Sequence, residues 1–214
     1  MRRVPAKCAW AALAAAAALW GPLVWRWSRA WTILPDQAYG WGVVPLAAYL
    51  FAERWRRADP PGGRGRPILG AWLLAAGLTL WAADLPVLEA NAMWPTAQWW
   101  GAAGAALAAL GALTRVGGFA WAAQFAFAPL FLLTALTWPT PVKTWIVEHL
   151  SGANARLAAE LVSAAGHPAM VSGNVIVVST GMVGIEEACS GMRSLQAVWM
   201  VAWFAGEFFL LNWP

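Results

Sequence analysis

Charged residues are scarce in this chain. Asp, Glu, Lys and Arg make up 11% of its 214 residues and hydrophobic residues make up 61%, whereas a typical soluble domain carries about 25% charged residues. This shortage excludes an ordinary soluble domain. The net charge of +4 is spread over short basic clusters between apolar runs, as in membrane topology determinants rather than nucleic-acid sites. The composition therefore predicts an integral membrane protein that contacts the lipid bilayer and binds no nucleic acid.

Cysteine and histidine are also rare. The two cysteines, Cys8 and Cys189, lie in unrelated contexts and form no disulfide framework. Two separated cysteines and two separated histidines lack the paired spacing of a metal site, and the sequence has no phosphate-binding glycine loop. The sequence therefore predicts no metal and no cofactor. Cys8 precedes the first apolar run and is interpreted as an inert thiol near the membrane surface.

Long apolar runs are abundant. A helical span needs about 20 mostly apolar residues, and such runs alternate here with Gly-, Pro- and Arg-rich connections such as Glu53–Pro67, which is predicted to be a loop. The pattern predicts an all-α integral membrane protein, a polytopic bundle of about six spans. The approximate bounds of these spans are Ala9–Trp27, Ala38–Ala52, Ile68–Leu85, Thr96–Leu113, Phe119–Thr137 and Ser190–Trp213. The tryptophans expected to anchor them at the interface are Trp94, Trp99, Trp100 and Trp138.

Basic residues predict how the spans are oriented. Alternating spans place the basic N-terminus (1–7) and the arginine cluster at 54–66 on one side, and basic connections face the cytoplasm. The acidic connection 84–95 then lies outside. Arg26 and Arg29 are the exception, since they fall on the outer side. The N-terminus is therefore predicted to be cytoplasmic.

One polar segment interrupts the apolar runs. Apolar residues recur at three- and four-residue spacing over 142–162, which predicts an amphipathic helix. The β-branched stretch 174–178, a Ser-Thr-Gly turn and the stretch 182–185 predict a β-hairpin. The resulting domains are an N-terminal bundle of about five spans (1–137), an extracytoplasmic helix and hairpin (138–188) and a membrane helix headed by Cys189 (189–214).

Cys189 is the predicted nucleophile. It precedes Ser190 and Gly191, where the polar segment meets the last apolar run and a helix can begin. A helix N-terminus carries partial positive charge and free amides, which lower a thiol pKa below its free value of about 8.5 and can stabilise an oxyanion. Ser190 is suited to cap the helix, and Gly191 leaves room for a substrate backbone. Simple packing of a cysteine at a helix end is the other interpretation, and composition alone does not separate the two.

Polar residues near this thiol have two interpretations each. Arg193, one helical turn further on, would either favour the thiolate and bind a substrate carboxylate or lie on the surface. His149 and His167 would either pair with the thiol, as histidine does with a nucleophilic cysteine, or serve surface and packing roles. Glu186 and Glu187 would either act as bases or form a solvated hairpin end, and their charges disfavour a thiolate.

A longer pattern surrounds the thiol. Glu187-Ala188-Cys189-Ser190-Gly191-Met192-Arg193-Ser194-Leu195, preceded by Gly173-Asn174-Val175-Ile176, closely resembles the nucleophile region of the exosortase/archaeosortase family. Segments 138–141 and 164–168 are similar to that family's outer segment, and 35–57 is similar to its early hairpin. The resemblance implies a cysteine peptidase/transpeptidase of the bacterial inner (plasma) membrane, with Cys189 near the extracytoplasmic face. Its partners would be exported precursor proteins with a C-terminal sorting signal, of the Pro-Glu-Pro type in many bacterial substrates.

The resemblance also implies a catalytic set of Cys, Arg and His. Cys189 matches the first, whereas no residue of this sequence matches the family's Arg and His, which come from later membrane segments. The chain is therefore interpreted as C-terminally truncated or a fragment. Two functions stay open: cleavage of the sorting signal through a thioester acyl-enzyme, or a non-catalytic role as a signal-binding or scaffold protein.

Overall fold

The computed structural model describes residues 6–34, 37–58, 66–185 and 190–212. The helices are α1 (Ala6–Ile33), α2 (Gly40–Arg57), α3 (Pro67–Ala90), α4 (Pro95–Gly117), α5 (Phe119–Ala123), α6 (Phe127–Leu132), α7 (Thr140–Ala164) and α8 (Met192–Asn212). The strands are β1 (Ala169–Ser172), β2 (Val175–Val178) and β3 (Gly181–Gly184). The chain divides into two compact units, a helical unit (Met1–Thr137 with Met200–Pro214) and a mixed unit (Trp138–Trp199).

Large apolar side chains of α1 and α2 form the core of the helical unit. Leu23, Trp27 and Trp31 follow one another at four-residue spacing, so they share one face of α1 and are buried together. The Trp31 indole donates a hydrogen bond to the Ala135 carbonyl (3.0 Å), because a buried indole N–H needs an acceptor. Tryptophans of this chain therefore build the core as well as its exposed surface.

Glycines bring α3 and α4 into close contact. Gly70 and Gly77 of α3 face Gly111 and Gly104 of α4. An ideal Cβ on Gly77 would lie 2.7 Å from the Gly104 carbonyl oxygen, and one on Gly70 would lie 2.8 Å from that of Gly111. Small residues at such spacing let helix backbones approach, as is common between membrane helices. The two helices therefore pack backbone to backbone.

Arg26, the exception to the predicted charge pattern, pairs with an acid. Its guanidinium donates to the Glu89 carboxylate of α3 and to the Pro22 carbonyl (3.0 Å). Asp84, also on α3, is buried beside Gly101 of α4. The prediction of a connection starting at residue 84 is wrong over 84–90, because α3 continues through Pro86 to Ala90. The pairing of Glu89 with α1 and the packing of Asp84 on α4 hold this last part of α3.

Helix α2 continues beyond the predicted end of the second span, and its last turn contains three arginines. The predicted loop from Glu53 is wrong over its first residues, since α2 continues to Arg57. Glu53 pairs with Arg56 (2.8 Å) and Arg57 (2.6 Å) one turn later, and cations favour the C-terminal end of a helix. Arg54 reaches the buried Glu207 of α8 (2.6 Å). Residues 59–65 of the predicted loop lie outside the described residues, and the loop prediction is also wrong at Pro67, which begins α3.

The fifth predicted span is not one continuous helix. Between α5 and α6, the amides of Gln124, Phe125 and Ala126 bond to carbonyls three residues back, which tightens the backbone out of α-helical geometry. Pro129 of α6 has no amide to donate four residues back, so it cannot support a regular helix across this turn. The structure therefore breaks Phe119–Thr137 into two short helices and a 3₁₀ turn at Leu133–Ala135.

The mixed unit packs α7 on a small antiparallel sheet of order β1-β2-β3. The strands predicted at 174–178 and 182–185 correspond to β2 and β3, which pair with Val175 opposite Gly184. A strand that was not predicted, β1, pairs with the other edge of β2. Ala155 and Ala159 of α7 are buried against Ile176, because small helix residues let the β-branched strand approach.

The number of spans stays a prediction. Among the described residues, α3 alone is long and apolar enough to cross a membrane, or two such spans are present if the bent pair Phe119–Ala135 and Thr140–Ala164 counts as one. The chain is mostly helical, as expected. The arrangement of about six spans is part of the proposal below.

Candidate active site

The segment that holds the predicted nucleophile lies between two described residues. Cys189, with Glu186 and Glu187, lies outside the described residues. Ile185 and Ser190 on either side are described, and both belong to the mixed unit. The contacts of these two residues therefore show what holds each flank of the segment 186–189.

Ser190 joins the segment to α8. Its side chain is 1% exposed, and its hydroxyl oxygen accepts a hydrogen bond from the Met192 amide (3.3 Å). Gly191 follows with φ +85°, a left-handed conformation that glycine adopts without strain, and its carbonyl accepts the first helical bond, from Leu195 (3.0 Å). The predicted capping role of Ser190 thus takes the form of a side-chain bond to the first residue of α8.

Asn154 anchors the same flank from α7. Its side-chain amide donates to the Ser190 carbonyl over 3.2 Å. The two residues are 36 positions apart in the chain, so this bond connects α7 to the residue that follows Cys189. A side-chain amide at this position fixes the peptide unit because the carbonyl has no helical partner there.

Asn174 anchors the opposite flank. Its carbonyl oxygen accepts from the Ile185 amide (2.9 Å), and its side-chain amide donates to the Ile185 carbonyl (3.0 Å). These two bonds continue the β2–β3 ladder by one residue beyond Gly184. Two asparagines therefore hold the residues on the two sides of the 186–189 segment.

The histidines are not brought to these flanks. The Nδ1 atom of His149 bonds to the Trp145 carbonyl (2.7 Å), and the two rings lie 4.2 Å apart. Because a carbonyl only accepts, Nδ1 is the donor in this bond. His167 is exposed after the end of α7, with its amide bonded to the Val162 carbonyl (3.2 Å). Neither side chain has a hydrogen bond to Ile185 or Ser190 in the part of the chain that the structure describes.

Arg193 lies in the first turn of α8 and is exposed. Cys189 lies outside the described residues, so the one-turn spacing between Arg193 and Cys189 stays a prediction. The first turn of a helix carries the positive end of its dipole. The start of α8 is therefore a suitable place for developing negative charge.

Asn154 is a site residue that the sequence pattern did not reveal. It lies at one of the polar positions of the predicted amphipathic helix. Asn, Glu and Lys at such positions are all predicted to face solvent, so the pattern does not distinguish Asn154. Only the tertiary contact with the Ser190 carbonyl shows that this side chain lies at the flank of the segment. Asn174, by contrast, belongs to the string on which the resemblance depends.

Comparison with protein families gives one finding. The family model for transmembrane exosortases matches residues 27–214. The match includes both asparagines, both flanks and the 186–189 segment. Comparisons with curated proteins and with solved structures give no match.

Proposed function

Because this chain belongs to the transmembrane exosortase family, we propose that it is a membrane cysteine peptidase/transpeptidase that cleaves a C-terminal sorting signal of exported proteins. The proposed nucleophile is Cys189. The observation that carries the proposal is the anchoring of both flanks of 186–189, by Asn174 on one side and Asn154 on the other. A reactive thiol must be held within tight limits to attack productively.

The proposed reaction has two steps. The Cys189 thiolate attacks the scissile carbonyl carbon, the C–N bond breaks, and the leaving amine takes up a proton. The product is a thioester acyl-enzyme. The nucleophile of an acceptor then attacks the thioester, releases the exported protein and regenerates the thiol. The positive end of the α8 dipole favours the oxyanion of each tetrahedral intermediate.

The proposed setting is the bacterial inner membrane. The N-terminus lies in the cytoplasm and about six helices span the bilayer. Cys189 then lies near the extracytoplasmic face, where an exported precursor is still tethered by its C-terminal helix. Precursors with a Pro-Glu-Pro-type signal are the proposed substrates.

Replacement of Cys189 tests the nucleophile. In the full chain, we expect Cys189→Ala to abolish processing of a co-expressed precursor, because removal of a catalytic nucleophile costs several orders of magnitude in rate. Hydroxylamine, which cleaves thioesters, should release the precursor from the wild-type chain only. The measurement is the ratio of cleaved to uncleaved precursor on immunoblots.

Cys8→Ser is the matched control, and it should process the precursor at the wild-type rate. Normal processing by Cys189→Ala would refute the proposal. Stable binding of the precursor by the wild-type chain without cleavage would instead support the non-catalytic signal-binding role.

A further inference from the structure

A charged groove lies between α7 and β1 in the mixed unit. It is a cavity of about 330 Å³. Its lining residues are Arg156, Ala159, Glu160, Ser163, Ala169 and Val171. Neither Asn154 nor Asn174 lines it, so the groove is separate from the contacts that hold Ile185 and Ser190.

The edge of β1 borders this groove with backbone groups that the sheet does not use. β1 pairs with β2 on one side only. The Ala169 amide donates to the Ser163 hydroxyl (3.3 Å), so it points away from β2. Backbone groups of alternate residues in an antiparallel strand point the same way, which directs the N–H and C=O of Val171 to the free edge. An edge of this kind is a template for another strand.

Two opposite charges lie beside that edge. Arg156 and Glu160 are exposed and one helical turn apart, and neither forms an ion pair within the described part of the chain. Four helical residues rise about 6 Å. Two strand residues rise about 6.8 Å. Side chains two positions apart on an added strand would therefore match the spacing of the two charges.

The directions of α7 and β1 determine the order of the matching charges. Ser163 bonds to Ala169, and the other end of β1 leads to Gly173, whose carbonyl is 3.9 Å from an ideal Cβ on Gly152. The two elements are therefore antiparallel, with Arg156 towards the Val171 end. A strand that pairs antiparallel with β1, the commoner arrangement, passes Arg156 before it passes the acid at position 160.

We propose that this groove binds an extended peptide segment as an additional strand on β1. An acidic side chain of the peptide contacts Arg156, and a basic side chain two residues later contacts Glu160. This proposal rests on the proposed function in one respect: the peptide is taken to be a segment of the exported substrate. Backbone pairing favours a peptide over a zwitterionic lipid headgroup, which carries both charges but cannot extend a sheet.

Peptide binding to the full chain tests the groove. The Cys189→Ala chain is purified in nonionic detergent, and fluorescence anisotropy measures its affinity for labelled Thr-Val-Glu-Val-Lys-Val-Thr. Exchange of Glu and Lys in the peptide should weaken binding about tenfold, since two exposed ion pairs are lost. Peptide N-methylated at alternate residues should lose binding, because it cannot pair with β1.

A charge-exchanged variant provides the decisive comparison. Arg156→Glu with Glu160→Arg should prefer the Lys-Val-Glu peptide, whereas the control Lys143→Glu with Glu148→Lys, earlier on α7, should keep the original preference. Equal affinity for both peptides, no peptide binding, or displacement of the peptide by phosphatidylethanolamine nanodiscs would overturn the proposal. Binding is measured in the Cys189→Ala chain, without cleavage, so the two proposals fail separately. A peptide preference there, together with a wild-type chain that does not process a precursor, would refute the peptidase and leave the groove.

Discussion

Asn154 holds one end of the Cys189 segment through a single hydrogen bond to Ser190. We expect Asn154→Ala to lower precursor processing about tenfold, because loss of the anchor lowers the fraction of chains in which the thiol is aligned. The free energy of unfolding should fall by only about 0.5–1.5 kcal/mol, the usual net contribution of a hydrogen bond. Asn154→Asp should be worse, since a carboxylate cannot donate and its charge disfavours a nearby thiolate.

The rate of Cys189 alkylation by iodoacetamide separates positioning from stability. It is measured against pH in a Cys8→Ser background, and it should change in both Asn154 variants. Asn91→Ala is the matched control, since Asn91 also bonds to a backbone group, the Met93 amide (3.1 Å), but in the helical unit. Equal alkylation and processing in Asn154→Ala and Asn91→Ala would show that Asn154 does not position the thiol.

Single residues differ in how far the sequence reveals them. Cys189 is conspicuous because cysteine is rare and stands in a long specific string. Asn154 is one polar residue among several on α7, and its role comes from a contact made 36 residues along the chain. A local pattern is enough to propose a nucleophile, whereas a residue that anchors its flank is found only from a tertiary contact.

At the scale of elements, the interface between α3 and α4 has no room for a side chain at Gly77. An added Cβ would overlap backbone atoms of Ala108 and lie 2.7 Å from the Gly104 carbonyl oxygen. We expect Gly77→Ala to destabilise the protein by about 1–3 kcal/mol, because backbone atoms cannot move aside as a flexible side chain would. Unfolding in detergent, followed by tryptophan fluorescence, measures the effect.

Gly206 of α8 provides the comparison. No heavy atom lies within 4 Å of an ideal Cβ there, so Gly206→Ala should be neutral or stabilising by up to about 1 kcal/mol. Identical unfolding of Gly77→Ala and Gly206→Ala would mean that the helices are not in backbone contact in the detergent-solubilised protein.

Helix bounds are predicted best where residues that start and stop a helix flank it. Helix α7 extends over Thr140–Ala164, close to the predicted 142–162, because Pro139 and Pro141 mark its start and Gly166 and Pro168 follow its end. The break between α5 and α6 was not predicted, although Gln124 and Pro129 interrupt the apolar run there. Strand β1 was not predicted either: its pairing with β2 and the Ser163 bond define it.

At the scale of the whole molecule, charge along the chain predicts orientation, and the structure accounts for one exception. Arg26 on the predicted outer side is neutralised by Glu89, so it need not act as a cytoplasmic determinant. The Arg26 side chain is 14% exposed, so its charge is balanced by this acid more than by solvent. Ion pairs join α1 to α3 and α2 to α8. Because these helices contain charged residues, composition alone does not determine how many of them span the membrane.

Arg54 and Glu207 form the pair that links α2 to the end of the chain. Nε and Nη2 of Arg54 contact one Glu207 oxygen at 2.7 and 2.6 Å. The side chain of Glu207 is 5% exposed and that of Arg54 is 33% exposed. We expect Arg54→Met to destabilise the protein by about 3–5 kcal/mol, because it leaves a buried carboxylate without a counter-charge. Glu207→Gln should cost less, since Arg54 can turn its charge to solvent.

The double variant Arg54→Met with Glu207→Leu tests whether the ion pair makes a net contribution to the free energy of unfolding or only offsets the cost of burying its two charges. Apolar replacement of both members of a buried pair is often neutral or stabilising, so most of the loss should be recovered. Arg56→Met, which breaks the exposed contact with Glu53, should cost about 0.3–0.5 kcal/mol. If the double variant were as unstable as the sum of its single changes, the two residues would act independently, and α8 would be held to α2 by aromatic contacts such as Tyr49 with Phe204 and Phe208.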